Sequence, residues 1–361
     1  MSAVPAPASS PDAGAVWHYG DPFGEQRAAL TDAVFVDRSH RAVLTLTGGE
    51  RLSWLHNISS QHVADLADGA TVQNLSLDGQ GRVEDHWIQT ELDGVSYLDT
   101  EPWRGEPLLA YLRKMVFWAD VVPDAADCGV LSLLGPGLAA PQVLAALRID
   151  ELPDVASATR LPDGGFVRRM PADAGGPAIA LDVVAPRERL LALGEQLRAA
   201  GVRPAGVWTY EAHRVAALRP RLGVDTDERT IPHEVGWIPT AVHLDKGCYR
   251  GQETVARVYN LGRPPRMLVL THLDGTDARP STGSPVLADG RTVGRLGTVV
   301  DHVDLGPVAL ALVKRTVPAD TVLTSDDAAG VSLVIDPESM PAPDVAGRGR
   351  EAVDRLRGVT R

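Results

Sequence analysis

Apolar positions along this chain fall mostly into short runs with turn residues between them. Residues 33–37 and 42–47 are such runs, rich in β-branched side chains, and each predicts a strand. Gly48-Gly49 then opens a helix through Leu52, Leu55 and Ile58. Residues 71–77 and 82–91 flank Asp78-Gly79-Gln80-Gly81. Two glycines and an aspartate suit the positive-φ positions of a tight turn, so the two runs predict a hairpin. A second turn at Asp93-Gly94 leads to a strand at 95–98, and residues 107–118 carry Leu108, Leu109, Leu112, Met115 and Val116 at helical spacing.

The middle of the chain repeats this grammar. Strands are predicted at 130–134 and 178–184, and helices at 141–147 and 186–200. The last helix starts on Pro186, faces Leu190, Leu193 and Leu197 one way and stops before Gly201. Strands and helices mixed with hairpins predict α+β layers, not a doubly wound parallel sheet. No repeat with a period of about 20–50 residues is present, which excludes a solenoid. Near Gly262 the pattern changes. Arg263-Pro264-Pro265-Arg266 reads as a linker or rigid turn, and short strands follow at 267–271, 285–287, 292–300, 309–313 and 331–335. Their regular spacing predicts a small β-barrel or sandwich. Residues 1–16, rich in Ala, Pro and Ser, read as a loose tail and not a signal peptide. Residues after 340 are rich in Pro, Gly and charge, with a short helix at the end.

The 361 residues exceed what one core of roughly 250–300 residues serves, so two or three domains are expected. Hydrophobic residues at 44% and charged residues at 23% exclude a wholly disordered chain. No run approaches the roughly 18 apolar residues of a membrane-spanning helix. The net charge of −12 makes a poor general binder of nucleic acid or anionic membrane, so neither is expected as a direct partner. Two cysteines, Cys128 and Cys248, make no disulfide framework and cannot supply four thiolates to a cluster. A cytoplasmic location is the expectation.

The densest chemistry lies in Asp245-Lys246-Gly247-Cys248-Tyr249-Arg250-Gly251-Gln252-Glu253-Thr254. It holds one of three lysines and one of two cysteines. Gly247 and Gly251 permit a tight loop in which backbone approaches a ligand. Residues 252–260 predict a helix closed by Leu261-Gly262. A cysteine just before that helix, beside Lys246 and Arg250, is expected to have a lowered pKa and to serve as nucleophile or soft ligand, although a small buried cysteine would fit the loop equally well. Between 246 and 266 five basic residues, Lys246, Arg250, Arg257, Arg263 and Arg266, face one acid, Glu253. Such a focus suits an anionic ligand. His243 and Cys248 are too few for zinc, and His40, His56 and His62 show no metal-ligand spacing. No P-loop, G-x-S-x-G elbow or G-x-G-x-x-G unit occurs.

Lys246-Gly247-Cys248-Tyr249-Arg250-Gly251-Gln252-Glu253 resembles the K-G-C-Y-x-G-Q-E signature of the YgfZ family, folate-binding relatives of the glycine-cleavage T-protein (aminomethyltransferase). The resemblance extends to Asp78-Gly79-Gln80-Gly81-Arg82 with Asp85, to Trp208, Tyr210, Glu211 and Arg214, to Ile231-Pro232-His233-Glu234, and to the barrel, covering roughly residues 30–338. It implies a three-domain, clover-like α+β fold around a hole that admits a reduced folate. The first two domains (17–128 and 129–262, the second carrying the signature loop) would be interleaved, the third (263–338) a β-barrel, and 339–361 a tail. It also implies a role in iron–sulfur cluster assembly or repair, including cluster-dependent tRNA-modifying enzymes, with iron–sulfur assembly proteins or client enzymes as partners.

Tetrahydrofolate or a derivative sets its own demands. A pterin offers adjacent N–H donors to a carboxylate in an aromatic pocket, and its glutamyl tail wants Arg or Lys. Asp85 and Glu211 are the candidate carboxylates, Trp208, Tyr210 and Tyr249 the candidate walls, and Arg214, Arg250 and Arg257 the candidate tail partners. Gly247 and Gly251 would bring backbone to the ligand, and Cys248, Lys246 and Asp85 would carry chemistry. Relatives read R-I-E-A-G where this chain has Arg214-Val215-Ala216-Ala217-Leu218, so a carboxylate and a glycine are missing. Beside the accessory role stand two alternatives. A tetrahydrofolate-dependent aminomethyl or one-carbon transferase would need Asp85 and not Cys248. A tRNA-binding accessory protein would use residues 246–266.

Overall fold

The computed structural model describes residues 2–261, 263–327 and 330–341. Three large β bodies, beside one two-stranded pair, build the described residues. The first is a five-stranded antiparallel sheet in the order Thr71–Leu77, Val83–Leu92, Val95–Thr100, Ala42–Thr47 and Val122–Ala126. The second has six strands, Ala158–Arg160, Phe166–Met170, Ala180–Pro186, Cys128–Leu134, Val34–Asp37 and Arg203–Ala205, and only its last pair is parallel. The third is a closed barrel of Arg266–Leu273, Gly306–Lys314, Arg291–His302, Pro285–Ala288, Val322–Ser325 and Ser332–Ile335. Closure leaves the barrel no unpaired edge. The expected α+β class with a C-terminal barrel is what forms.

Chain order and sheet membership are interleaved, since Val34–Asp37 joins the second sheet although the strands that follow it build the first. The helix Val207–Ala216 is the hub. It packs on the barrel strands, on Val34–Asp37 and on the helix Pro22–Thr31. One hydrophobic cluster joins Leu75, Leu77 and Val83 of the hairpin, Ala212 and Val215 of the hub helix, and Leu268 and Leu310 of the barrel. These bodies therefore share a core, which fixes their relative placement.

Three expectations are corrected. Residues 2–16 are no loose tail: Val4–Pro5 pairs antiparallel with Val16–His18, Ala6 is buried, and Asp12 is 3% exposed. The signature loop, expected on the second body, lies against the first sheet's hairpin, as described below. Strands at Val122–Ala126, Phe166–Met170 and Val322–Ser325 were not among those expected. The terminal helix expected after 340 lies outside the described residues. Among the described residues no helix is long and apolar enough to cross a membrane.

Candidate functional site

The hairpin turn and the signature loop fold onto one another. Asp78 organises the turn by accepting the Gln80 and Arg82 N–H groups, each at 2.8 Å. Gly251 sits at φ +84°, and a Cβ there would lie 2.6 Å from the Asp78 carbonyl oxygen and 2.9 Å from the Gly81 Cα. Gly81, at φ +77°, leaves a Cβ only 2.8 Å from Thr254. Both glycines are needed for their backbone conformation and for this close approach. Gly247, by contrast, has open space around it. The close approach at Gly251 is to the protein's own hairpin.

Lys246 anchors the loop. Its Nζ donates to the carbonyls of His56, Ser59 (2.6 Å) and Gln61 (3.0 Å), at and just beyond the end of the helix Arg51–Ile58. A cation there also complements the helix C-terminus. Burial pushes its ammonium down to about 8. His243 N–H to the Ser60 carbonyl (3.0 Å) and Ser60 Oγ to the Ala241 carbonyl (2.7 Å) complete the seam. The expected catalytic part for Lys246 is thus replaced by a structural one. Arg250 pairs with Glu84 at 2.8 Å. Both cations expected to activate Cys248 are engaged elsewhere, and the helix begins only at Gln252. Cys248 itself is a free, exposed thiol. Tyr249 is buried in the shared core, which pushes its phenol up to about 12, and it is no ligand wall. Arg257 is exposed on the helix Gln252–Leu261.

Beside this junction open two cavities. One, of about 730 Å³, is lined by Asp85, Arg82, Trp103, Arg104 and Tyr111 together with the turn around Gly223. The other, of about 860 Å³, is lined by Asp12, Trp17, Trp103, Glu211, Arg279 and Thr298. Trp103 and Gly223 belong to both. Gly223 holds φ +78°, and a Cβ there would meet the Trp103 ring nitrogen at 3.2 Å. Volumes of this size are those of small-molecule sites.

The two candidate carboxylates fall in different cavities and have different freedom. Asp85 Oδ1 accepts from Arg104 Nε (2.8 Å) and Nη2 (2.7 Å), and Oδ2 accepts the Ser76 hydroxyl at 2.9 Å. A carboxylate has about four lone-pair sites, so Asp85 keeps acceptor capacity toward its cavity. Glu211 is gripped through both oxygens by Arg214, with Nε to Oε1 at 2.8 Å, and Arg221 lies 3.2 Å away. Arg214 also reaches Asp225 at 2.8 Å and the Thr298 hydroxyl. Glu211 is therefore a member of a buried ion network, as is Arg214, and neither is placed as expected for ligand contact.

That network runs through all three bodies. Asp182 and Asp99 both pair with Arg168, Asp99 with Arg41, and Arg41 with Glu101. Glu101 pairs with Arg221 at 2.8 Å, and Arg221 leads to Glu211, Arg214 and Asp225, whose Oδ1 accepts the barrel's Thr298 N–H at 2.7 Å. Burial would raise the Glu101 carboxyl, but Arg221 and Arg41 outweigh it and hold it at about 2. The Arg221 guanidinium also lies 5.7 Å from the Trp103 ring. It positions the aromatic partition between the cavities.

Trp208 and Tyr210 are packing residues. Trp208 stacks on Trp17 with centroids 5.5 Å apart and donates its ring N–H to the Asp301 carbonyl at 3.1 Å. Tyr210 lies under the Arg38 guanidinium at 3.6 Å. Where relatives carry R-I-E-A-G, Ala216 is half-buried and Leu218 holds φ +55°, a left-handed conformation that suits the relatives' glycine. Trp103, Arg104 and Arg221 were missed by sequence reasoning. A tryptophan after Pro102 at a strand end carries no periodic signal, and an arginine's partners are invisible until distant segments meet. Among the described residues no group of His, Cys, Asp and Glu could hold a metal ion.

No protein-family model matches the chain. An aminomethyltransferase of Chromobacterium violaceum is 27% identical over 235 residues, which are 61% of this chain and 61% of that protein. A putative chloroplastic transferase of Arabidopsis thaliana is 25% identical over 326 residues, 82% of this chain and 69% of that protein. An aminomethyltransferase of Stenotrophomonas maltophilia is 26% identical over 337 residues, 84% and 88% of the two chains. Among solved structures, the glycine cleavage system aminomethyltransferase T from Bartonella henselae superposes with a TM-score of 0.79 at 20% identity, covering 96% of this chain and 95% of that one. The chain has the aminomethyltransferase T fold and is similar in sequence, along most of its length, to proteins named aminomethyltransferase.

Proposed function

We propose that this protein is a tetrahydrofolate-dependent one-carbon transferase of the aminomethyltransferase kind. The observation that carries the proposal is Asp85, a carboxylate held at a cavity wall with unused acceptor capacity beside Trp103. The residues present fit a reduced folate there. Trp103 and Tyr111 supply flat apolar walls, Asp85 Oδ2 keeps a lone pair for an N–H donor, and Arg82 offers a cation to an anionic tail. Glu211 does not fit that task, because Arg214 and Arg221 already occupy it. When bound, the folate would supply the nitrogen that takes up the one-carbon unit.

This chain's own residues would orient and hold protons. Arg104 and Ser76 fix the Asp85 carboxylate, so the one lone pair left, on Oδ2, would be set to accept a hydrogen bond or take up a proton. Arg221 lies 5.7 Å from the Trp103 ring, and the core shared by the hairpin, the hub helix and the barrel keeps the cavity walls from shifting. Pre-set geometry of this kind lowers the ordering cost of binding. The test is calorimetric titration with tetrahydrofolate, repeated on Asp85→Ala. Saturable binding that the substitution weakens at least tenfold supports the reading, and equal binding by both proteins refutes it.

A second reading rests on a different observation, the exposed Cys248 thiol on a loop stitched rigidly to the first body. In that reading the resemblance to the YgfZ family extends to function. The protein then supports iron–sulfur cluster assembly or repair, with assembly proteins or client enzymes as partners. Cys248→Ala should then lower the activity of iron–sulfur enzymes in the cell, and unchanged activities would count against it.

A further inference from the structure

By its own lining the Asp85 cavity is ill-suited to the anionic tail of a folate. Five acids and three arginines line it, in a protein of net charge −12. Asp85 is paired with Arg104, and Asp78 accepts the N–H groups of its turn. Arg295 Nη1 donates to the Val224 and Thr226 carbonyls at 3.1 and 3.0 Å. Asp227 is answered from outside the lining, by Arg266 at 2.6 Å. Glu84, which precedes Asp85 in the chain, is also answered from outside, by Arg250 of the signature loop at 2.8 Å.

The backbone brings Arg250 to this place. Its neighbour Gly251 packs on the hairpin turn so closely that a Cβ would lie 2.6 Å from the Asp78 carbonyl oxygen. From behind, Lys246 Nζ holds the loop on the Ser59 and Gln61 carbonyls. Tyr111, also on the cavity wall, feels the same cation: burial pushes its phenol up, and Arg250 opposes the rise. The Arg250–Glu84 pair is half exposed, so it adds little to stability. Its effect is on charge. Without Arg250 a bare carboxylate at Glu84 would face an incoming tail beside Arg82.

We infer that Arg250 makes the Asp85 cavity accept an anionic ligand tail, by neutralising Glu84 at the cavity wall. The inference rests on the folate reading above and deepens it. The ligand class is a reduced folate that enters with its glutamyl carboxylates ionised. The signature loop thereby gains a task at the cavity that does not pass through Cys248. One uncompensated unit charge at the wall should weaken binding about fivefold in ~0.02 M salt, and less than about twofold in ~0.5 M salt, where screening acts within a few ångströms.

The test is calorimetric titration of the full chain with tetrahydrofolate at these two salt concentrations. It compares the unaltered protein, Arg250→Ala, and the double variant that adds Glu84→Gln to Arg250→Ala. The expected result for Arg250→Ala is a dissociation constant about fivefold higher at low salt and within about twofold of the original at high salt. The added Glu84→Gln should restore low-salt binding to within about twofold. Low-salt binding by Arg250→Ala that matches the unaltered chain overturns the inference. So does a loss that persists at high salt, or one that the added Glu84→Gln leaves in place, since Arg250 would then touch the ligand or merely support the loop. In each of these cases tetrahydrofolate still binds the unaltered chain, and the folate reading stands. No saturable binding by the unaltered chain overturns that reading, and this inference with it.

Discussion

Replacing Glu211 by alanine separates a structural carboxylate from a ligand-binding one. The substitution strips Arg214 of a partner bound through both oxygens and Arg221 of a contact at 3.2 Å, all inside the protein. Removing one member of a buried ion pair costs about 3–5 kcal/mol, because a charge is left without its counterion. Here the cost falls at the lower end, about 3 kcal/mol, since neither arginine is orphaned. Arg214 keeps Asp225, Thr298 and the Arg219 carbonyl, and Arg221 keeps Glu101 and Asp12. The assay is urea unfolding followed by fluorescence, paired with tetrahydrofolate titration well below the transition. The expected outcome is a destabilised protein whose dissociation constant for tetrahydrofolate stays within about threefold of the original, a change under about 0.7 kcal/mol. Unaltered unfolding with binding weakened tenfold or more would refute the assignment and return Glu211 to the ligand.

Gly251→Ala forces a left-handed residue and an overlap with the Asp78 carbonyl, costing about 1–2 kcal/mol for conformation and about 1–3 for the clash, measurable as a lowered urea midpoint. Lys246 titrates at about 8 in the folded protein against 10.5 ordinarily, so the unfolded chain holds that proton more tightly. Stability should therefore rise with pH between those two values, and Lys246→Met should flatten the rise in unfolding measured across that window. Cys248→Ala, at an exposed position, should leave stability within about 0.5 kcal/mol and leave tetrahydrofolate binding unchanged; a lower urea midpoint would show a hidden packing role.

Much of this architecture was legible in the chain. The hairpin at Asp78 to Gly81 is specified locally, by turn residues whose conformations few others adopt. The barrel strands announce themselves by short apolar runs between turns. Phe166–Met170 escaped because its Arg168 looks like a surface residue, yet it is 1% exposed and answers Asp99 and Asp182 from two different sheets. The arm escaped for a similar reason. Proline and serine signal disorder until Asp12 meets Arg221, more than two hundred residues away in the chain. The motif residues were found, but their tasks were not. Lys246 and Gly251 bind the loop to its own protein, and Glu211 serves arginines. Asp85 combines a motif position with free acceptor capacity in a cavity, and it does so beside a tryptophan that no pattern singled out.

The central claim is that a reduced folate binds against Trp103 with Asp85 as its acceptor. The most direct measurement is a crystal structure of the chain grown with tetrahydrofolate. The account predicts a pteridine stacked on Trp103 with its N–H groups within hydrogen-bonding distance of the Asp85 carboxylate. Folate bound away from both residues, or held through Glu211, would contradict it.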